Sequence, residues 1–226
     1  MNIGVISNFF LDLLFPKFCV LCGNYGDYLC GKCLGQLPQE AKYISSNVLY
    51  KKKRVPKIFA NHIKGVWYFW DYCDVRVKKV IHSYKFSLLK SLGEQISAPV
   101  NHFLAQAEKM TKARVALIPP DNGRKRQRGF DHIAGIVDQK LVSPSVRIFR
   151  VKKTFPQVAM QTKSERWQNL KDVFSAEVSH SFSSKTPIIL VDDILTSGAT
   201  ATFAAKTLTR LGYRNIFLLV LAMQEF

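Results

Sequence analysis

Three short apolar runs between residues 65 and 191 have the composition of strands. Residues 115–118 and 187–191 are apolar and rich in β-branched side chains, which is typical of buried parallel strands. Residues 65–72 are mostly aromatic, and the alternation of side chains along a strand places about half of them in the core. These runs are separated by longer polar–apolar stretches, so the pattern predicts an α/β protein.

Three segments have the apolar spacing of helices. Val75–Phe86 and residues 88–107 repeat apolar side chains every three or four positions, and we expect Pro99 to break the second helix. The first 15 residues predict a short amphipathic helix that packs on its own chain, since its polar face is not basic enough for a membrane anchor. They also lack the charge and cleavage site of a signal peptide, so we expect a cytoplasmic, reducing environment.

Composition narrows the possible classes of protein. The 226 residues are 47% hydrophobic with a net charge of +17, and the longest apolar run is 216–223. A disordered chain and an integral membrane segment are therefore not expected. Residues 1–50 are neutral, whereas residues 51–150 carry most of the excess charge, notably in the runs 51–54 and 124–128. Such density indicates nucleic acid, a phosphorylated small molecule or an anionic membrane surface as partner, or else solvated basic loops.

Four cysteines lie in one short window. Cys19 and Cys22 form one C-x-x-C pair, and Cys30 and Cys33 form a second one seven residues later. Two such pairs supply the four thiolates of a closed, structural zinc site. The alternatives are two disulfides or four free thiols. Cys73 stands apart in an aromatic stretch and is expected to be a small buried hydrophobic residue.

The strand predicted at 187–191 leads into two acidic residues, a loop of small residues and a helix-forming stretch at 201–211. A strand, small-residue loop and helix N-terminus together form a cradle for phosphate, because glycine admits a close approach and free N–H groups and hydroxyls bind the anion. The Walker GxxxxGK[ST] pattern is absent. The candidate phosphate-binding residues are Thr196, Ser197, Gly198, Ala199 and Thr200.

Asp192 and Asp193 stand directly before this loop. Two adjacent carboxylates at the end of a buried strand are costly unless they bind something, and a ribose diol offers one hydroxyl to each. A diol site beside a phosphate cradle describes a phosphorylated ribose. The alternative is simple helix capping, for which one Asp is sufficient.

Residues 188–200, IILVDDILTSGAT, resemble the phosphoribosyl pyrophosphate (PRPP) motif of type I phosphoribosyltransferases. The block RGFDH at 128–132 and the sequence LFP at 14–16 before the first cysteine pair are similar to the ComF (competence protein F) family, as are Thr154, Gln157, Arg166, Asn169 and Phe174. The resemblance implies a helix, a small zinc ribbon and a basic linker over residues 1–60. A type I phosphoribosyltransferase fold, a parallel twisted sheet with flanking helices, is implied over 61–226.

The resemblance also implies roles for individual residues. Asp192 and Asp193 are the candidate catalytic residues that hold the ribose hydroxyls, and Mg²⁺ would accompany PRPP. Arg128, in a basic loop at 122–129, would contact the pyrophosphate. Residues 152–172 correspond to a hood over the substrate or to a structural extension. The candidate contacts from that segment are Gln157, Arg166 and Asn169. Four histidines share no metal-ligand spacing and are not expected to be ligands, namely His82, His102, His132 and His180.

The resemblance to this family implies a role in DNA uptake during natural transformation, with single-stranded DNA and a competence helicase as partners. The ribose-phosphate site then senses or binds its ligand. The alternative is an active phosphoribosyltransferase, either of nucleotide salvage or similar to amidophosphoribosyltransferases. No nucleophile or general base is evident in the sequence, so the acceptor is not predicted.

Overall fold

The computed structural model describes residues 16–86, 89–152, 167–179 and 182–224. Its strands are β1 Lys42–Ser45, β2 Gly65–Asp71, β3 Arg114–Leu117, β4 Val146–Arg150, β5 Phe174–Val178, β6 Ile188–Leu195 and β7 Ile216–Met223. The helices bounded within these residues are α1 Gly31–Gly35, α2 Ser46–Lys51, α3 Lys57–His62, α4 Val75–Phe86, α5 Lys90–Thr111, α6 Asn122–Arg128 and α7 Ala199–Arg210, with a 3₁₀ turn at Ala134–Ile136.

A five-stranded sheet has the order β1-β2-β7-β6-β3. β2, β7, β6 and β3 run parallel to one another, and β1 is antiparallel at one edge. β6 lies inside the sheet between β7 and β3, and its Val191 is paired with Leu117 on one side and Leu219 on the other. β4 and β5 form a separate antiparallel pair. The α/β prediction and the parallel direction of the strands are therefore confirmed.

Helices cover both faces of the sheet, so its central strands are apolar on both sides. Ile188 and Leu190 of β6 face one core, which contains residues of α2, α3 and α7. Ile189 and Val191 face the other core, which contains residues of α4 and α5 and two of the four clustered cysteines. This alternation is the two-residue period of a strand, and it explains why the run 187–191 has no polar position.

Two boundaries differ from the sequence prediction. Pro99 does not break the second helix, because α5 continues through it to Thr111. Proline removes one backbone hydrogen bond, but α5 buries Leu92, Ile96 and Leu104 along one face, and this burial outweighs the local loss. β6 also extends through the acidic pair to Leu195 instead of ending before it.

The N-terminal part of the chain packs closely on the sheet. β1 pairs with β2 through residues 42–45, and Trp70 of β2 donates its Nε1–H to the carbonyl of Pro38 at 2.9 Å. The predicted helix within residues 1–15 lies outside the described residues. The predicted division near residue 60 remains a prediction. No helix in the described part of the chain combines the length and the apolar character needed to cross a membrane.

Candidate functional site

A polar cavity of about 190 Å³ opens at the carboxyl ends of β3 and β6. Carboxyl ends of parallel strands are the usual position of ligands in α/β folds. The cavity brings together five of the residues selected from the sequence, Arg128, Asp192, Asp193, Thr196 and Thr200. Its other lining residues are Lys85, Pro120, Asp121, Arg124, His132, Arg150 and Ile194.

The loop from β6 to α7 depends on Gly198. Its φ of 75° lies in the left-handed region, and it caps α7 without any side-chain hydrogen bond. A Cβ at this position would lie 2.7 Å from Cδ2 of Phe59, a ring that is fully buried in α3. Conformation and space therefore both require glycine. Ala199 N–H donates to Ser197 Oγ at 3.4 Å, and the loop and the helix N-terminus together have the form of the phosphate cradle expected from the sequence.

The basic segment predicted as a loop is mostly helical, which corrects that prediction. Asp121 caps α6 by accepting hydrogen bonds from the backbone N–H groups of Gly123 and Arg124 at 3.0 and 3.3 Å. The helix ends at Gly129, whose φ is 73°. A cap of this kind followed by a left-handed glycine is a helix signal that the sequence already contained. The helix directs Arg124 and Arg128 to the cavity.

Arg128, His132 and Asp193 form a buried chain of hydrogen bonds. Arg128 Nη1 lies 2.8 Å from His132 Nδ1, and His132 Nε2 lies 2.7 Å from Asp193 Oδ2. A guanidinium can only donate, so Nδ1 of the histidine accepts and its Nε2–H donates to the carboxylate. Lys85 of α4 forms an ion pair with the same oxygen, Asp193 Oδ2. The network thus fixes the carboxylate, the imidazole ring and its tautomer.

The two adjacent carboxyl groups differ in acidity. Burial opposes ionisation of Asp193, but the ammonium of Lys85 and the hydrogen bond from His132 hold its pKa well below the usual range. Burial and the negative charge of Asp193 raise the pKa of Asp192 to about 7. Near neutral pH Asp193 therefore keeps a fixed negative charge, whereas Asp192 is close to the midpoint of its titration and readily exchanges its proton.

Two further guanidinium groups line the cavity. Arg150 of β4 donates from Nε to the carbonyl of Pro119 at 3.1 Å, and its Nη1 lies 3.8 Å from Asp121 Oδ2. Burial lowers the pKa of Arg150, and the charge of Asp121 opposes this change. Arg124 has a buried Nη2 that lacks a hydrogen-bond partner within the described residues. A buried, unsatisfied donor is costly, so this atom is a candidate contact for an anionic or polar ligand.

Sequence reasoning does not select Lys85, Asp121 or Arg150, all of which line the cavity. His132 was considered only as a metal ligand, although it stands in the RGFDH block that carried the family resemblance. Asn169 does not line the cavity. Arg166, Gln157 and Thr154 lie outside the described residues.

The four cysteines near the N-terminus come together as predicted. Their sulfur atoms all lie within 4.8 Å of one another, and Cys22 Sγ and Cys30 Sγ are 3.7 Å apart. Tetrahedral zinc with Zn–S bonds of ~2.3 Å requires sulfur–sulfur distances of ~3.8 Å, so the cluster fits a structural zinc ion. All four thiols are free, as is Cys73. Cys73 is exposed, so the expectation that it is buried was wrong.

Fold and site together define an α/β protein with a mostly parallel sheet, a polar cavity lined by cationic and acidic side chains at its carboxyl edge, and four cysteines near its N-terminus that are positioned to bind a metal ion. No family model matches the chain. It is 25% identical over 211 residues to a protein named Competence protein F from Haemophilus influenzae, a match that covers 89% of this chain and 82% of that relative. This similarity confirms the resemblance to the competence protein F family that the sequence motifs indicated.

Proposed function

We propose that this protein binds PRPP, or a closely related ribose phosphate, in the cavity between β3 and β6, and that its fold is that of the type I phosphoribosyltransferases. The observation that carries the proposal is the buried Nη2 of Arg124, which has no partner in the described residues although it lines the same cavity as Asp192 and Asp193. A phosphate oxygen satisfies that donor, and guanidinium groups bind phosphate strongly.

Each part of the ligand has a matching part of the site. The 5′-phosphate binds at residues 196–200, where the loop meets the N-terminus of α7. The ribose hydroxyls bind Asp192 and Asp193. Among the described residues both protein contacts to Asp193 fall on its Oδ2 atom, so a hydroxyl binds at Oδ1. The pyrophosphate binds Arg124 and its cationic neighbours on α4, α6 and β4.

The charges of the cavity fit Mg²⁺ as a companion of the ligand. Four cationic side chains, Lys85, Arg124, Arg128 and Arg150, face three carboxyl groups, those of Asp121, Asp192 and Asp193. A phosphomonoester and a pyrophosphate bring several more negative charges than this balance offsets. Mg²⁺ prefers carboxylate and phosphate oxygens, so Asp192, Asp193 and the ligand would hold it. The ion would reduce the charge on a departing pyrophosphate.

The biological role that we propose is in DNA uptake, through handling of single-stranded DNA with a helicase partner. Two observations support it, the similarity to a protein named Competence protein F and the concentration of basic charge over residues 51–150. On this proposal the ribose-phosphate site senses its ligand instead of turning it over. The zinc ribbon over residues 1–60 and the phosphoribosyltransferase-like domain over 61–226 then act together.

Transfer of the phosphoribosyl group is the second candidate function. Two features favour this transfer reaction. The hydrogen bonds of His132 fix its tautomer, and a preorganised site of this kind stabilises developing charge. Asp192 has a pKa raised to about 7, so it can exchange a proton near neutral pH. In that case pyrophosphate leaves from ribose C1 as an acceptor attacks there, and the acceptor loses a proton.

The test is PRPP binding by calorimetry, with and without Mg²⁺. Asp192→Asn/Asp193→Asn should weaken binding by at least tenfold, and Arg124→Gln should do so without changing the thermal unfolding temperature greatly. The control Glu40→Gln/Glu177→Gln removes two exposed carboxylates that do not line the cavity and should match the wild type. Equal PRPP affinity in wild type and the acidic double variant contradicts the proposal.

DNA binding is measured separately, with a single-stranded oligonucleotide at low and moderate salt. Contacts to several phosphates make the affinity fall steeply with salt, by ~10³ or more for six contacts. An affinity that does not change with salt contradicts the proposed role of the basic surface. Release of pyrophosphate on addition of nucleobases identifies the enzymatic alternative.

A further inference from the structure

A second cavity lies directly beside the phosphate loop. It has a volume of about 340 Å³ and shares Thr196 with the ribose-phosphate cavity. A neighbouring cavity of about 360 Å³ shares Ser197 with it. Lys53 and Arg54 line both, and no acidic residue lines either one in the described part of the chain. The loop that receives the 5′-phosphate is thus flanked by a second concave surface that is positively charged.

The backbone at Lys53 is unusual for a lysine. Lys53 N–H bonds to the Tyr50 carbonyl at 2.8 Å and Arg54 N–H bonds to the Leu49 carbonyl at 2.9 Å, which together form a Schellman motif at the end of α2. Lys53 occupies the left-handed position of this motif with a φ of 57°. Glycine is the usual residue there, because a side chain is unfavourable in that conformation. A lysine at this position adds a cation to the cavity at a conformational cost.

The remaining lining provides surfaces for a flat, partly polar molecule. Tyr72, directly after β2, contributes an aromatic ring, and Gln224 contributes an amide. Trp167 lines the neighbouring cavity. Aromatic side chains bind planar rings by stacking, and paired cations bind a carboxylate or a phosphate. The combination is suited to a ligand with a ring and an anionic group.

We propose that Lys53 and Arg54 bind the anionic group of a second ligand, an aromatic ring that carries a carboxylate or a phosphate, beside the ribose phosphate. The inference rests on the proposed function only in placing the ribose phosphate at residues 196–200. It also gives a role to part of the basic run at 51–54. Lys53 and Arg54 line the two cavities, whereas Lys51 and Lys52 do not.

The test uses protein saturated with ribose 5-phosphate, so that the phosphate loop is filled. Nicotinate and thymidine 5′-monophosphate are titrated by calorimetry as the carboxylate and phosphate probes. At least one probe should bind the wild type, and Lys53→Gln/Arg54→Gln should weaken it by tenfold or more. The matched control Lys51→Gln/Lys52→Gln removes two charges of the same run and should change the affinity by less than twofold.

Lys53→Gly is the sharper variant because it restores the residue that the backbone favours. It should weaken probe binding by at least threefold while the protein unfolds at an equal or higher temperature, so a loss of binding is not a loss of fold. Failure of both probes to bind the wild type, or equal binding by the Lys53 and Arg54 variants, overturns the proposal. Each titration is repeated without ribose 5-phosphate. Probe binding that survives there, in a protein that does not bind ribose 5-phosphate, supports this subsite and contradicts only the proposed function.

Discussion

Replacement of Gly198 by alanine tests the contact between the phosphate loop and α3. The left-handed backbone costs a residue with a Cβ ~1–2 kcal/mol. The added methyl group would also lie 2.7 Å from a carbon of the buried Phe59 ring, and overpacking of this kind costs ~1–3 kcal/mol. We therefore expect Gly198→Ala to lower the free energy of unfolding by ~2–5 kcal/mol, as the sum of these two costs.

Gly212→Ala is the matched control. Gly212 has a φ of 93°, but a Cβ there meets no atom within 4 Å, so only the conformational cost of ~1–2 kcal/mol applies. Urea unfolding followed by circular dichroism measures both variants. In a Phe59→Leu background the extra cost of Gly198→Ala should largely disappear, because the smaller side chain can move away. Equal destabilisation by Gly198→Ala and Gly212→Ala would refute the close packing of Phe59 under the loop.

Three other predictions concern charge and metal. Asp192→Asn should gain stability relative to wild type as the pH rises from about 4 to 7, and the gain should then level off. The reason is that Asp192 has a pKa raised to about 7 in the folded protein, so in this range the unfolded wild-type chain loses the proton while the folded chain retains it. A constant difference in urea midpoints across this range contradicts the raised pKa. Lys85→Met should lower the free energy of unfolding by up to ~3 kcal/mol at pH 7, because Asp193 loses its ammonium partner. The control Lys79→Met, on the exposed face of the same helix, should have little effect. Purified protein should hold one zinc ion per chain, and Cys22→Ser or a chelator should lower both metal content and unfolding temperature; less than about half an equivalent in wild type refutes the four-cysteine site.

The parts of the site that were predicted from the sequence are contiguous in the chain. The acidic pair and the phosphate loop occupy residues 192–200, so local pattern alone places them at the end of a strand. Lys85 and Arg150 come from α4 and β4, which are far apart in sequence. Helical periodicity assigns Lys85 to a polar position, and only the packing of α4 on the sheet brings it to Asp193. Long-range packing of this kind is not visible in local spacing.

Local signals also competed with tertiary packing. Proline is a strong helix breaker, yet the apolar face of α5 maintains the helix across Pro99. The basic run at 122–128 suggested a solvated loop because its charge dominates the composition. Its helix is set instead by the residues at its ends, Asp121 and Gly129. The sequence contains this information, but at two positions and not across the whole segment.

The packing of Phe59 and β1 has a consequence for how this protein can be divided. A fragment that begins at residue 61 would lose β1 and expose the edge of β2, and such unpaired edges promote association between chains. It would also lose the ring that lies under Gly198 and the cations of the second cavity. Any exchange of the C-terminal part between relatives should therefore retain residues 42–62, so that the phosphate loop keeps its support.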